Sequence, residues 1–225
     1  MINTKEGESP FEEYSFEYDK WFDDHPFTFQ SELQAVKKFM SENSKGVEIG
    51  VGTGRFASGL NIPIGLEPSE SMASIARSRG IQVHKAIAEQ LPFDNISFDF
   101  ALMITTLCFV EDPGKTLSEV MRILKPEGNF ILGIIDRETN LGKIYEARRG
   151  RTSTDESMKG SDKFYSKARF YSTSEVIQLI QKCGFDYLNA CQTIFSNPDT
   201  MTTPDLIRDG YGEGAFVVIN SIKPS

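Results

Sequence analysis

A seven-residue segment, Glu48 to Gly54 (Glu-Ile-Gly-Val-Gly-Thr-Gly), constrains the fold more than any other part of this 225-residue chain. It follows a short apolar run at 46–49 that is typical of a buried strand, and the residues after it can open a helix. Glycines in such a turn let a ligand approach the backbone, and the helix N-terminus offers unpaired N–H groups. The segment therefore predicts a strand–turn–helix unit that binds a nucleotide-like ligand.

The rest of the chain alternates between strand-like and helix-like segments. Further apolar runs lie at 62–66, 98–104, 129–135, 185–194 and 215–222. Between them, Ser69 can cap a helix that runs toward Gly80, and residues 115–124 are amphipathic. Ser172 and Glu175 have the spacing of a capping box. The alternation predicts an α/β fold, a Rossmann-like doubly wound sheet with helices on both faces.

Two segments stand apart from this alternation. Residues 1–42 include a helical, aromatic-rich stretch from residue 10, which we interpret as an N-terminal cap belonging to the same domain as the sheet in 43–225. Residues 137–170 are polar and include the basic cluster Arg148, Arg149 and Arg151. This second segment is interpreted as an insertion or lid over the sheet.

Composition restricts the partners. The net charge of −8 disfavours binding to nucleic acid or to an anionic membrane surface. Three cysteines without a CxxC pair and two distant histidines argue against a disulfide framework and against a metal site. No apolar run reaches the roughly 20 residues that a membrane span needs, and no signal sequence is evident, so we expect a cytoplasmic protein.

Two acidic residues narrow the choice of ligand. Arg55 occupies the position where the dinucleotide fingerprint needs its third glycine, and Glu48 would repel a pyrophosphate. S-adenosylmethionine has no phosphate and carries an ammonium and a sulfonium, so Glu48 favours it; Glu48 could also brace the loop by accepting backbone N–H bonds. Glu67 lies 17 residues after Gly50, where a carboxylate can bind ribose hydroxyls, although it could be a surface residue before a turn.

Five motifs occur in order along 46–136, and together they resemble one family. They are Glu48-x-Gly-x-Gly-x-Gly54, Gly65-Leu-Glu67-Pro-Ser69, Ala88-Glu89-x-Leu-Pro92-Phe93, Phe98-Asp-Phe100 and Leu124-Lys-Pro-Glu-Gly128. The set resembles class I S-adenosylmethionine-dependent methyltransferases, in particular the type 11 small-molecule group that includes quinone-biosynthesis enzymes. The resemblance implies a mostly parallel seven-stranded sheet with its last strand antiparallel. It also implies S-adenosylmethionine as cofactor and S-adenosylhomocysteine as product.

The resemblance further implies a cofactor site. Its residues would be Glu48, Gly50, Gly52, Gly54, Glu67, Pro68, Met72, Ala88, Glu89 and Thr105. Met72 would pack against adenine, but it could equally be core filler. Many relatives place an aspartate two residues before the position of Glu89, and this chain has Ile87 there. Recognition of adenine should therefore rest on backbone groups and packing.

Methyl transfer from a sulfonium is an in-line displacement, so the protein mainly has to position the reactants and exclude water. A general base is needed only if the acceptor must lose a proton. We expect a small-molecule acceptor between the N-terminal aromatic segment, the ends of the fourth and fifth strands and the 137–170 insertion. Candidate substrate-binding residues are Tyr18, Trp21, Phe22, His25, Arg137 and Tyr145, and weak catalytic candidates are Tyr18, His25 and Asp136.

Other interpretations remain open at this point. The aromatic residues could simply form the core of the helical cap. Leu107, Cys108 and Phe109 are apolar and suggest a fairly apolar acceptor, and we interpret the three cysteines as inert. The protein could be a non-catalytic module that binds S-adenosylmethionine to regulate a partner, or a nicotinamide-dependent oxidoreductase on a similar sheet. Either a monomer or a homodimer is compatible with the sequence.

Overall fold

The computed structural model describes residues 9–41, 44–148, 162–165 and 167–225. The strands among these residues form one eight-stranded mixed sheet. The strands are β1 (Gly46–Ile49), β2 (Ile64–Leu66), β3 (Gln82–His84), β4 (Phe98–Ile104), β5 (Leu124–Ile135), β6 (Asp186–Thr193), β7 (Arg208–Asp209) and β8 (Phe216–Ile222). Their order is β3-β2-β1-β4-β5-β8-β6-β7. Strands β1 to β5 pair in parallel, and β8 lies antiparallel between β5 and β6.

Helices cover both faces of this sheet. They are α1 (Pro10–Glu13), α2 (Ser15–Asp24), α3 (Pro26–Lys37), α4 (Arg55–Gly59), α5 (Glu70–Ser78), α6 (Pro113–Ile123), α7 (Asn140–Arg148), α8 (Asp162–Tyr165) and α9 (Thr173–Lys182). Alternate residues of β4 enter two separate cores: Met103 packs in the core containing residues of α6 and α9, and Leu102 in the core containing residues of α2 to α5. Because side chains alternate along a strand, this confirms the predicted doubly wound fold.

The strand count differs from the seven expected because two residues, Arg208 and Asp209, pair antiparallel with β6 and form an eighth, edge strand. The antiparallel position of the last strand is confirmed. Strand β5 also begins at Leu124, five positions before the apolar run at 129. Pro126 and Gly128 interrupt the pairing between Phe98↔Leu124 and Phe100↔Asn129, which produces a bulge with strand on either side.

The N-terminal helices pack directly on the sheet. Pro26 begins α3, where a missing N–H costs nothing, and Ala35 and Val36 on this helix are completely buried. The helix ends at Lys37, before the expected residue 42. Asp19 on α2 accepts hydrogen bonds from Arg55 at 2.7 Å and from Arg79 at 2.8 Å. Burial opposes ionisation of Asp19, but these bonds outweigh it and lower its pKa to about 2.

The predicted 137–170 insertion contains α7, α8 and the chain before α9. Arg148 ends α7, whereas Arg149 and Arg151 of the basic cluster lie outside the described residues. The capping box of Ser172 and Glu175 is confirmed at the start of α9. In the part of the chain that the structure describes, every helix is too short or too polar to cross a membrane.

Candidate cofactor and acceptor site

The glycine loop leaves β1 and turns into α4. Gly50 has φ +73°, and a Cβ there would lie 2.3 Å from Thr106 Oγ1, so a side chain is excluded on steric as well as conformational grounds. Gly52 has φ +54°, and a Cβ there would meet only Tyr18, at 3.9 Å. The space beside Gly52 is therefore open, as it must be if a ligand approaches the backbone.

Glu48 provides a buried acceptor beside this loop. It is only 2% exposed, and its Oε2 atom has no hydrogen-bond partner. Burial raises the pKa of Glu48 well above its ordinary value, although the backbone N–H of Ala57 works in the opposite direction. The carboxyl group thus braces α4 through the backbone of Ala57, and Glu48 lines a small cavity together with Gly50 and Gly52. An ammonium group bound there would satisfy the orphaned oxygen.

Glu67 lies directly after β2 and faces the same loop. Its Oε2 accepts from Gly52 N at 3.0 Å, and its Oε1 accepts from Ser69 N at 2.9 Å. Burial raises the pKa of Glu67, and the two backbone donors partly offset that effect. Each carboxylate oxygen has a further lone pair, so the group can still accept bonds from two hydroxyls. Glu67 and Pro68 line a cavity of about 280 Å³ that Phe11 and Glu12 of α1 also line.

Three other predicted cofactor residues, Met72, Ala88 and Glu89, are buried. Met72 is fully buried, and the backbone N–H of Met72 donates to Ser69 Oγ. Ala88 is buried. Glu89 Oε1 accepts hydrogen bonds from Glu111 N at 2.7 Å and from Asp112 N at 3.2 Å, and these bonds fix the two residues that precede α6. Ile87, where many relatives have aspartate, is 52% exposed.

Thr105 lies at the end of β4 between the cofactor loop and a larger cavity. Its φ of +45° is rare for a β-branched residue, and its N–H donates a hydrogen bond of 2.8 Å to Gly133 O. Such strained residues concentrate at functional sites. Thr105 lines both the cavity at the glycine loop and the larger one, so it marks their junction.

The larger cavity has a volume of about 310 Å³, and eight of the described residues that line it are Phe, Tyr or Trp. We call it the aromatic cavity. Five of the six predicted substrate residues line it: Tyr18, Trp21, Phe22, His25 and Tyr145. Burial, and next the charge of Glu32, raise the pKa of Tyr18, which keeps this phenol protonated. His25 stacks on Trp21 at 4.4 Å and is held by Trp21 O and Asp199.

Two candidates from the end of β5 do not line this cavity. The carboxylate of Asp136 accepts bonds from Glu138 N at 2.9 Å and from Thr173 Oγ1 at 2.6 Å. Arg137 donates to Glu175 at 3.1 Å. Both side chains therefore fasten the chain after β5 to the start of α9.

Sequence reasoning missed Glu32, Phe164 and Tyr165, which also line the cavity. The signal for Glu32 was available: His25, Thr28 and Glu32 follow the three- and four-residue spacing that places side chains on one face of a helix. Glu32 has no hydrogen bond or ion pair with any residue in the described ranges. Burial raises the pKa of Glu32 to about 8.

This raised pKa predicts a pH-dependent penalty on stability. Folded Glu32 holds its proton up to about pH 8, whereas the unfolded residue loses it near 4.5, so stability falls as pH rises through that interval. We expect Glu32→Gln to raise the free energy of unfolding by up to about 5 kcal/mol at pH 9, with little change at pH 4.5. Urea unfolding at both pH values measures this, and an equal effect at both would contradict the assignment.

The cysteines have the character of unreactive thiols. Burial raises the pKa of Cys108 to about 12 and that of Cys191 to about 11, and the pKa of Cys183 is also raised by burial. Thiolates are therefore scarce at neutral pH. Among the residues that the structure describes, no group of three or more His, Cys, Asp and Glu side chains could hold a metal ion.

Comparisons with known proteins agree with this geometry. A family model described as a methyltransferase domain matches residues 47–132. An uncharacterized protein of Methanocaldococcus jannaschii is 44% identical over 95% of this chain and 98% of its own length. A solved structure from Thermotoga maritima, described as a SAM-dependent methyltransferase and possible histamine N-methyltransferase, is 50% identical, covers 95% of this chain and 98% of its own, and superimposes with a TM-score of 0.88.

The fold is also found in a protein with different chemistry. The [4+2]-cyclase SpnF is 16% identical, with 85% of this chain and 79% of its own chain covered, at a TM-score of 0.58. That likeness concerns the fold alone. The full-length similarity at 50% identity is decisive, and this chain belongs to the S-adenosylmethionine-dependent methyltransferases, whose cofactor is S-adenosylmethionine.

Proposed function

We propose that the protein transfers the methyl group of S-adenosylmethionine to a small molecule held in the aromatic cavity. The observation that carries this proposal is the junction of two cavities. Tyr18, Phe22, Phe56 and Thr105 line both the cavity at the glycine loop and the larger aromatic one. An acceptor in the larger cavity would thus lie beside the reactive end of a cofactor held by the loop.

The cofactor fits the residues that surround the loop. We assign the orphaned Glu48 Oε2 to its ammonium group and the free lone pairs of Glu67 to its ribose hydroxyls. Gly50, Gly52 and Gly54 would surround the methionine and ribose parts of the cofactor. Adenine would pack near Ile87, an exposed apolar side chain that gains by being covered. When bound, S-adenosylmethionine supplies a methyl group already activated by the positive sulfur.

The chain's own task is then positioning and exclusion of water. Aromatic walls keep water away from the methyl group, which strengthens electrostatic interactions inside the cavity. Tyr18, kept neutral by its raised pKa, can donate a hydrogen bond to a polar group of the acceptor. The residues that line both cavities would hold the attacking atom in line with the carbon–sulfur bond, which is the geometry that an in-line displacement requires. Helices α1 to α3, together with α7 and α8, would act as the cap that closes this space.

Calorimetric titration with S-adenosylmethionine, S-adenosylhomocysteine and NAD tests the cofactor, and release of S-adenosylhomocysteine tests turnover. We expect micromolar binding of the first two ligands and no heat from NAD. Histamine belongs in the acceptor screen because the Thermotoga maritima protein is described as a possible histamine N-methyltransferase. Binding of NAD alone would refute the proposal. Cofactor binding without turnover of any acceptor would favour a non-catalytic regulatory module.

A further inference from the structure

We propose that the acceptor is a small organic amine that binds as a cation, with Glu32 as its counter-ion and then as the acceptor of its proton. This inference rests on the proposed methyl transfer and specifies the chemical class of acceptor. It assigns Glu32 as a catalytic residue that touches the acceptor.

The position of Glu32 is the first support. It lies in the middle of α3, the helix whose residues Ala35 and Val36 are buried in the sheet core, so its backbone is held rigidly. The side chain is half-buried and lines the aromatic cavity. A carboxylate so enclosed costs free energy unless it is paired, and the described part of the protein provides no partner. The missing partner is then a group on the ligand.

The walls of the cavity favour the same class of ligand. Tyr18, Trp21, Phe22, Tyr145, Phe164 and Tyr165 present aromatic rings to the space that Glu32 faces. The faces of such rings attract cations, most strongly where water is excluded. A neutral acceptor would leave Glu32 unpaired, and an anionic one would be repelled by it. A carboxylate and several rings around one cavity together select a compact cation.

Charges near the entrance add to this preference. Glu17 and Asp24 are exposed acidic residues on the cavity lining, and Lys20 is paired with Asp24 at 2.6 Å. His25 also lines the cavity, and its Nε2 atom lies 3.2 Å from Asp199. The entrance therefore has more unpaired negative than positive charge, which attracts cations.

The proton step completes the chemistry. A protonated amine has no lone pair, so it must lose a proton before it can attack. The N–H bond breaks, its electron pair stays on nitrogen, and the proton passes to the Glu32 carboxylate. The nitrogen then forms a bond to the methyl carbon while the carbon–sulfur bond breaks and its electron pair remains on sulfur. Burial already raises the pKa of Glu32 to about 8, which brings its proton affinity close to that of an amine.

Calorimetry on protein saturated with S-adenosylhomocysteine tests this pairing without turnover. The probes are matched pairs that differ only in charge: 2-phenylethylamine with 2-phenylethanol, and tryptamine with tryptophol. We expect at least one amine to bind at least about tenfold more tightly than its alcohol. At pH 6.5, with buffers of two ionisation enthalpies, that amine should release about one proton as Glu32 ionises, and the alcohol none.

Glu32→Gln should abolish the preference for the amine and the proton release while leaving the affinity for S-adenosylhomocysteine unchanged. Asp186→Asn, an equal change of charge at an exposed site outside the cavity lining, should change neither. Equal binding of amine and alcohol by the wild type, or no binding of any amine, would overturn the inference. So would a selective loss of S-adenosylmethionine affinity in Glu32→Gln, because Glu32 would then face the sulfonium.

The outcomes separate this inference from the proposed function. Binding of S-adenosylhomocysteine to the wild-type protein is measured in the same experiment and depends on the cofactor site alone. Methylation of neutral acceptors only would leave the methyltransferase proposal intact and refute the role of Glu32.

Discussion

Gly52→Val is expected to weaken the binding of S-adenosylmethionine at least about a hundredfold, which corresponds to roughly 2.7 kcal/mol. Valine at φ +54° is strained, and its branched side chain would fill the open space beside the loop, where only Tyr18 lies within 4 Å. The ligand is thus excluded from the site while the sheet remains intact. Calorimetric titration and thermal unfolding of the same sample measure the two quantities separately.

Gly80→Val is the matched control. Gly80 has φ +84° with no atom within 4 Å of an added Cβ, so valine there introduces comparable backbone strain away from the glycine loop. We expect a similar loss of stability in both variants and a loss of cofactor affinity only for Gly52→Val. Near wild-type affinity in Gly52→Val would mean that the ligand does not approach this loop.

Glu67→Ala should weaken S-adenosylmethionine and S-adenosylhomocysteine by the same factor, about 10- to 100-fold, because each loses two charge-assisted hydrogen bonds to the ribose that they share. The substitution also removes the acceptors for Gly52 N and Ser69 N. Asp205→Ala controls for that second effect, since Asp205 likewise accepts two backbone N–H bonds, from Phe195 and Ser196. A loss confined to S-adenosylmethionine would contradict ribose binding by Glu67.

The parts of the molecule that follow from local pattern could be predicted from the sequence. The glycine loop, the strand before it and the alternating helices depend on short-range signals, and the antiparallel last strand then follows from the resemblance to the family. The edge strand at Arg208 and Asp209 could not be predicted, because two residues carry no periodicity and their pairing depends on β6 being nearby. The bulge at Pro126 and Gly128 could not be predicted as part of β5 either, because it depends on the pairing of Leu124 with Phe98 across the sheet.

The same distinction applies to the candidate site. Glu48, Gly50, Gly52 and Glu67 lie in contiguous motifs, so sequence reasoning could group them and the structure brings them together around one loop. The aromatic cavity is assembled from residues far apart in the chain, and which way a side chain points depends on the packing of whole helices. Proximity to the end of β5 suggested Asp136, whereas the carboxylate of Asp136 is bonded to Glu138 and Thr173. Glu32, by contrast, could have been found, because its spacing from His25 and Thr28 places the three side chains on one face of a helix.

The family model covers residues 47–132, yet only Phe56 and Thr105 of the cavity lining come from that stretch. The other lining residues lie before it, on α2 and α3, or after it, from Ile135 onward. Four lining residues, Tyr18, Phe22, Phe56 and Thr105, also line the cavity at the glycine loop, whereas the others belong to the larger cavity alone. If the proposed function holds, substitutions at that second group would alter the acceptor cavity and spare the cofactor cavity. A library aimed at new acceptors can vary Trp21, Thr28 or Tyr145 and leave the glycine loop untouched. The Asp19–Arg55 ion pair joins α2 to the start of α4, so an N-terminal segment transplanted from another protein would have to reproduce it.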